Sequence, residues 1–275
     1  EFVEVKIDGP NGDETIHCKL LCGADGAHSW VRRNFRMGKP RETMIGFQIE
    51  VTGYNGDSGM LDMYTGKNIS PGFFSWAIPT GDTTRVGTWT KAELMNGLSS
   101  EQYLDKLLQD QKINSRFRLC SEVARFCGPV PSGIVRKPLI ERVALFGDSA
   151  GVCKPTTGGG IGPGFKQVDL LVPRLSKCME NNELSRGTMN SISALLKEMA
   201  RNQRKKRALR DAFLTEMSDV ELEKIFDVWV RPEVTDLINE FGDIENPIPL
   251  GIKMLREVPE FRRLAGRAAK AVLWG

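Results

Sequence analysis

The sequence predicts an α/β fold in which strand-to-helix segments, a run of antiparallel strands and a helical C-terminal region make up the chain. Three observations carry that reading. Two short apolar runs, at residues 20–23 and 143–147, each end in small residues and lead toward helical patterning. Four strand-like runs separated by turn residues fill positions 43–90, and beyond Gly164 apolar residues recur at helical spacing. A chain of 275 residues with 40% hydrophobic and 27% charged residues has the composition of a protein that buries a core, as one large domain or two ordinary ones.

Phe2-Val3-Glu4-Val5-Lys6-Ile7 alternates apolar and polar, Asp8 to Asp13 supplies turn chemistry, and an apolar-rich run follows at 16–21, which predicts a hairpin. The chain opens inside this strand pattern and is expected to be the remainder of a longer protein. The runs 44–51, 60–64, 73–78 and 84–88, divided by clusters of Gly, Asn, Asp, Ser and Pro, predict an antiparallel meander. Ser99 ahead of Glu101 and Gln102 marks a helix start. The run 142–146 reads as a buried strand ending in Gly147-Asp148. Leu195, Leu196, Met199, Leu209, Phe213, Leu214 and Met217 carry the helical pattern onward, punctuated by Pro232, Pro247, Pro249 and Pro259.

Composition excludes several classes of function. A net charge of +3, from 38 basic and 35 acidic residues, is too balanced for nucleic acid as a partner. The six cysteines are scattered without the density of a disulfide scaffold or the paired spacing of a zinc site, so reduced thiols and no metal are predicted. Neither a leader pattern nor a long apolar run occurs, which predicts a cytoplasmic protein. The dense basic run at 201–210 reads as the solvated face of a helix, the sharper alternative being a peripheral contact with anionic lipid headgroups at a membrane surface.

The chemistry concentrates in two glycine-rich segments. In Leu20-Leu21-Cys22-Gly23-Ala24-Asp25-Gly26, an apolar strand ends in small residues ahead of a helix carrying Val31 and Arg32, so a cofactor can approach the backbone and free N–H groups. The second is Val143 to Gly151 with Pro155-Thr156-Thr157-Gly158-Gly159-Gly160-Ile161. It delivers the Asp148 carboxylate to a site lined by small residues, where it can accept hydrogen bonds from polyol hydroxyls. The glycine run there opens a helix whose positive end suits an electron-rich ring.

Gly23-Ala24-Asp25-Gly26 with Ser29, Val31 and Arg32 resembles the Asp-Gly motif of the para-hydroxybenzoate-hydroxylase-like flavoprotein superfamily. Gly147-Asp148-Ser149-Ala150-Gly151 with Pro155 resembles its Gly-Asp motif. Between them, Phe73-Phe74-Ser75-Trp76-Ala77-Ile78-Pro79 and Arg85-Val86-Gly87 look like the aromatic-x-Trp-x-Phe-Pro segment of the geranylgeranyl reductase family, and residues 155–161 look like its Pro-x-x-Gly-Gly-Gly-Ile stretch. Two positions depart from the pattern: Ile78 stands where Phe is usual, and Trp89 where another Gly is common.

The resemblance implies a partial FAD-binding (glutathione-reductase-like) domain in residues 1–38 and 128–180, an inserted antiparallel substrate-binding domain in 39–127, and a helical C-terminal region in 181–275. It implies FAD contacts at Asp25, Gly26, Arg32, Gly147, Asp148, Gly151, Pro155, Gly158, Gly159, Gly160 and Ile161. Phe74, Trp76, Ile78 and Pro79 are the expected substrate contacts, since period two places Phe74, Trp76 and Ile78 on one face; a plain sheet core is the alternative use of these aromatics. No Gly-x-Gly-x-x-Gly strand-turn-helix, which in the superfamily holds the ADP part of FAD, occurs in the sequence, so the chain is expected to lack part of its cofactor site.

The activity implied is FAD-dependent reduction of carbon–carbon double bonds in geranylgeranyl chains, as in archaeal ether-lipid biosynthesis. A prenyl lipid would be the substrate and a ferredoxin-like protein or NAD(P)H the electron donor. A monooxygenase of the same superfamily, or a non-catalytic lipid-binding fragment, are the alternatives. No catalytic acid is marked by residue type and spacing: His17 and His28 are isolated, and Cys153 reads as a buried inert thiol or as a redox or proton-donating one.

Overall fold

The computed structural model describes residues 2–10, 12–243, 248–262 and 266. Glu1, Asn11 of the first turn and Pro247 lie outside them. The chain divides into two compact units, Glu1–Gly46 with Phe126–Arg204, and Phe47–Arg125 with Lys205–Gly275.

The first unit begins with the expected hairpin, β1 (Val3–Gly9) and β2 (Gly12–Cys18), antiparallel with Val3 opposite Cys18. β3 (Leu21–Gly23) then runs parallel to β10 (Val143–Leu145), and β9 (Leu139–Ile140) pairs with the far side of β10. Alternation along β10 sends Ala144 to one face and Val143 and Leu145 to the other. Ala144 meets Leu171 and Leu175 of α3 (Ile161–Glu180) and Met189 and Ile192 of α4 (Arg186–Ser193). Val143 and Leu145 meet Val31 of α1 (Trp30–Asn34), Val135 and Val152. Both segments singled out as glycine-rich therefore start from adjacent strands of one buried sheet.

The second unit holds β5 (Asp62–Tyr64), β6 (Ser75–Pro79), β7 (Thr84–Lys91), residues 47–52 of β4 (Glu42–Thr52) and residues 121–125 of β8 (Ser121–Ser132), in the sheet order β5-β6-β7-β4-β8. The simple meander holds for β5-β6-β7 only. β4 pairs with β7 instead of β5, and β8 is a fifth strand that the pattern did not announce. β8 lies at the sheet edge, its first half is mostly exposed, and Gly128, Pro129 and Pro131 within it read as turn residues; edge strands tolerate proline.

One face of this sheet, with Phe47, Ile49, Val51, Ala77 and Val86, packs against Leu104 and Leu107 of α2 (Ser100–Gln109) and Phe117. α2 starts where expected: Ser99 Oγ accepts from the Gln102 N–H at 3.1 Å, and the Gln102 side chain accepts from the Ser99 N–H at 2.8 Å.

α5 (Lys197–Arg210) carries the basic run and passes into a π-helical turn at Asp211–Thr215. The run is not one solvated face. Gln203 and Arg210 are buried, while Arg201 and Arg204 are exposed. α6 (Asp219–Trp229), α7 (Pro232–Phe241), α8 (Ile248–Glu257) and α9 (Pro259–Arg262) enclose a separate core of Met217, Leu222, Ile225, Val234, Met254 and Phe261.

Candidate functional site

Gly23 ends β3 because a Cβ there would lie 2.8 Å from Leu145 Cδ2 and 2.9 Å from Val31 Cβ. The chain then turns through Gly26, at φ +74°, into α1. Asp25 faces that helix: its carboxylate accepts from the Val31 N–H at 3.0 Å, while Ser29 Oγ accepts from the Arg32 N–H at 2.9 Å. Burial pushes the Asp25 pKa up, but hydrogen bonds from the Ser29 hydroxyl and the Val31 and Trp30 N–H groups outweigh it and hold the carboxyl below its usual range. The stability this contributes is present above the ordinary carboxylate pKa and is lost as pH falls through the lowered value.

Arg32 is buried and donates from Nη1 to the Ser149 carbonyl at 2.8 Å and from Nη2 to the Ala27 carbonyl at 2.5 Å. Its guanidinium stitches α1 to the second glycine-rich loop. The sequence pointed to a cofactor contact; the geometry gives this side chain the task of holding the two motifs together.

That second loop leaves β10 through Gly147, at φ +62°, makes one turn to Ala150, and reverses at Gly151, at φ +76°, where a Cβ would lie 2.7 Å from the Gly133 carbonyl oxygen. Ser149 Oγ sits 2.5 Å from the Gly23 carbonyl and 2.6 Å from the Phe146 carbonyl, which ties the turn to the end of β3.

Two glutamines absent from the sequence-based list hold the loop from outside. Gln167 of α3, fully buried, accepts from the Gly147 N–H and donates to the Leu145 carbonyl, each at 2.9 Å. Gln203 of α5 accepts from the Ile134 N–H and donates to the carbonyls of Gly151 and Cys153, all at 3.0 Å. A lone amide one helical turn before the buried Leu171 was the available signal for Gln167. Gln203 was concealed by the charges around it.

The half-buried Asp148 stands between these two clamps, with Oδ1 3.0 Å from Cys153 Sγ. After buried Pro155 the chain closes a small loop, with the Lys154 N–H on the Gly159 carbonyl at 3.0 Å and the Gly158 N–H on the Lys154 carbonyl at 2.9 Å. Gly160 then caps α3 without a side chain, so the first-turn N–H groups and the positive end of a 20-residue helix stay available. A carboxylate, a side-chain-free backbone cradle and an open helix terminus are the donor and acceptor set that the polyol and ring of a flavin require. Exposed Ile161 begins a stripe on α3 with Phe165, Val168 and Val172, which are 78%, 67%, 40% and 40% exposed.

Phe74, Trp76, Ile78 and Pro79 lie in the second unit, on and beside β6. Trp76 is buried, at 6% exposed; its indole packs against Gly87 of β7, where a Cβ would collide with it, and its Nε1–H donates to Gln48 Oε1 at 3.2 Å. Trp89, with its ring 5.3 Å from Trp76, and Phe74, 6.1 Å from Trp76, extend the wall. Phe73 stacks on Phe74 at 4.8 Å, with the Arg210 guanidinium 5.3 Å from the centroid of the Phe73 ring. Phe73 is fully buried and serves as core; Phe74, Ile78 and Pro79 are half-buried. Gln48, Gly87 and Trp89 shape this wall and were not on the sequence-based list.

Comparison with known proteins agrees with this geometry. Residues 3–182 match the FAD binding domain family. An uncharacterized protein of Methanocaldococcus jannaschii is 27% identical over 89% of this chain and 62% of its own length. A digeranylgeranylglycerophospholipid reductase of the same organism is 26% identical over 82% of this chain and 58% of its own. The chain thus spans about three-fifths of the length of these relatives. Among solved structures, a geranylgeranyl bacteriochlorophyll reductase-like protein from Thermoplasma acidophilum superposes with a TM-score of 0.78 at 20% identity, covering 96% of this chain and 66% of that one. The chain belongs to the FAD-binding-domain family of flavin-dependent oxidoreductases, and FAD is its cofactor.

Proposed function

We propose that this chain is the greater part of an enzyme that uses FAD to saturate double bonds of geranylgeranyl chains, as in the assembly of archaeal-type membrane lipids. The observation that carries this reading is the aromatic cluster of the second unit, where Trp76, 6% exposed, packs against Gly87 with Phe74 and Trp89 beside it. Such aromatic rings next to the half-buried Ile78 and Pro79, with the indole N–H held by Gln48, suit a long apolar isoprenoid better than a polar substrate. The relatives named as digeranylgeranylglycerophospholipid reductases support the same substrate class.

Reduced FAD, when bound, would supply hydride to one carbon of the alkene, with a proton from a water or acid taken up at the other. The chain's own residues would bind and orient both partners. Asp148 accepts hydrogen bonds from cofactor hydroxyls, and the open N-terminus of α3 stabilises negative charge on the ring. Phe74, Trp76, Ile78 and Pro79 align the prenyl chain and keep water from it.

A ferredoxin-like protein or NAD(P)H would supply the electrons. Among the described residues no helix is long and apolar enough to cross a membrane.

Trp76→Ala in the holoprotein tests the reading. Turnover of a geranylgeranyl lipid is expected to fall by at least tenfold, the loss of an aligned contact surface, with the flavin absorption spectrum unchanged. If the spectrum and turnover both survive and only the melting temperature drops, by the equivalent of about 3–5 kcal/mol, Trp76 is core and the wall is not a substrate surface.

A further inference from the structure

We propose that Cys153 is a positioning residue for the cofactor: its thiol holds one oxygen of the Asp148 carboxylate so that the other is presented to a flavin hydroxyl. This rests on the FAD assignment and is independent of which substrate is reduced.

Cys153 is 2% exposed, and its Sγ donates to Asp148 Oδ1 at 3.0 Å, a length at the short end for a sulfur donor. The backbone beneath it is fixed from two directions. The Cys153 carbonyl accepts from Ser132 Oγ and from Gln203 Nε2, each at 3.0 Å, and both donors are buried. The Asp148 backbone is fixed just as closely, since the turn that carries it is gripped by Gln167 at Gly147 and by Arg32 at Ser149. Thiol and carboxylate are therefore held together by the fold rather than by a flexible encounter.

Gly160 completes the arrangement. A Cβ at this position would lie 3.2 Å from Asp148 Oδ1 and 3.2 Å from Cys153 Sγ, so the pair rests directly against the first residue before α3. Any side chain there would press on the carboxylate or the thiol. The glycine lets both reach the helix terminus.

This geometry decides among the chemical roles open to the thiol. Burial, the hydrogen bond to Asp148 and the proximity of its negative charge all push the thiol pKa upward, so the sulfur keeps its proton and acts as a donor. A protonated, enclosed thiol is a poor nucleophile, which favours the donor role over a redox one. A carboxylate with one oxygen engaged loses the freedom to rotate, and its second oxygen keeps a fixed direction toward an incoming hydroxyl.

The test compares Cys153→Ala and Cys153→Ser in the holoprotein, by FAD titration followed through flavin fluorescence, visible circular dichroism of the bound flavin, and melting of the apoprotein. Cys153→Ala is expected to weaken FAD binding by about three- to tenfold, the loss of one orienting hydrogen bond, and to alter the visible dichroism. Cys153→Ser, which keeps a donor at nearly the same place, is expected to bind FAD within about twofold of the parent and to restore the dichroic signature. Two results would overturn the proposal. Unchanged FAD affinity and dichroism in Cys153→Ala would mean that Asp148 needs no orienting partner. Equal losses in the alanine and serine variants, tracking a lower apoprotein melt, would make Cys153 a packing residue only.

Discussion

Asp148→Ala in the holoprotein is expected to weaken FAD binding by about one to two decades, since a charged acceptor lost against a buried hydroxyl costs roughly 1.5–3 kcal/mol. The motive is positional. Asp148 sits three residues beyond the end of β10, between the clamps made by Gln167 and Gln203, with Gly160 and the open end of α3 against it. Its side chain does not cap the turn: Gly147 and Ser149 make those hydrogen bonds, and the Asp148 carboxylate meets the thiol of Cys153. Melting of the apoprotein is therefore expected to change little, and FAD titration separates cofactor loss from unfolding. Parent-like FAD affinity with an unchanged apoprotein melt would remove Asp148 from the cofactor site.

Gln167→Leu is expected to be the costliest single change in the loop's support. The leucine fills similar volume in the interior of α3 but leaves the Gly147 N–H and the Leu145 carbonyl without their present partner, at about 1–3 kcal/mol for each buried group left unpaired. Because Gly147 adopts a left-handed conformation at the start of the turn, loosening it also releases Asp148. Both the apoprotein melt and FAD affinity should fall, in contrast to Asp148→Ala, where affinity falls alone. Thermal melts and FAD titration of the two variants side by side check the distinction, and a parent-like melt for Gln167→Leu would mean that the amide is dispensable.

What was legible in the sequence, and what was not, follows from the range over which each signal acts. The hairpin β1–β2, the Ser99 cap of α2 and the strands ending at Gly23 and Gly147 are written in residues close to one another, where turn chemistry and alternation are local. The pairing of β4 with β7 could not be read that way, because strand order depends on which faces bury against each other across the sheet. β8 was hidden by its exposure and its prolines.

The same division runs through the site. Asp25, Gly26, Gly147, Asp148 and the glycines up to Gly160 announced themselves as small and acidic residues at strand ends. Gln167 and Gln203 did not, since each acts across more than fifteen residues of chain, on Leu145 and Gly147 in one case and on Ile134, Gly151 and Cys153 in the other. Arg32 was legible as important but not in its task, which depends on Ser149 arriving from 117 residues away. Trp76 was visible as an aromatic in a strand, whereas its packing against Gly87 is a property of the pairing of β6 with β7.

The most direct test of an FAD-dependent prenyl reductase is a single anaerobic turnover. Holoprotein whose flavin has been chemically reduced is mixed with a geranylgeranyl lipid in the absence of oxygen, the flavin spectrum is followed, and the lipid is weighed by mass spectrometry. The expected result is reoxidation of the flavin at a rate that depends on lipid concentration, with one double bond saturated for each flavin reoxidised. A flavin that stays reduced under the lipid, yet reoxidises on admission of air with an oxygen atom inserted into an organic substrate, would contradict the reductase reading and favour a monooxygenase.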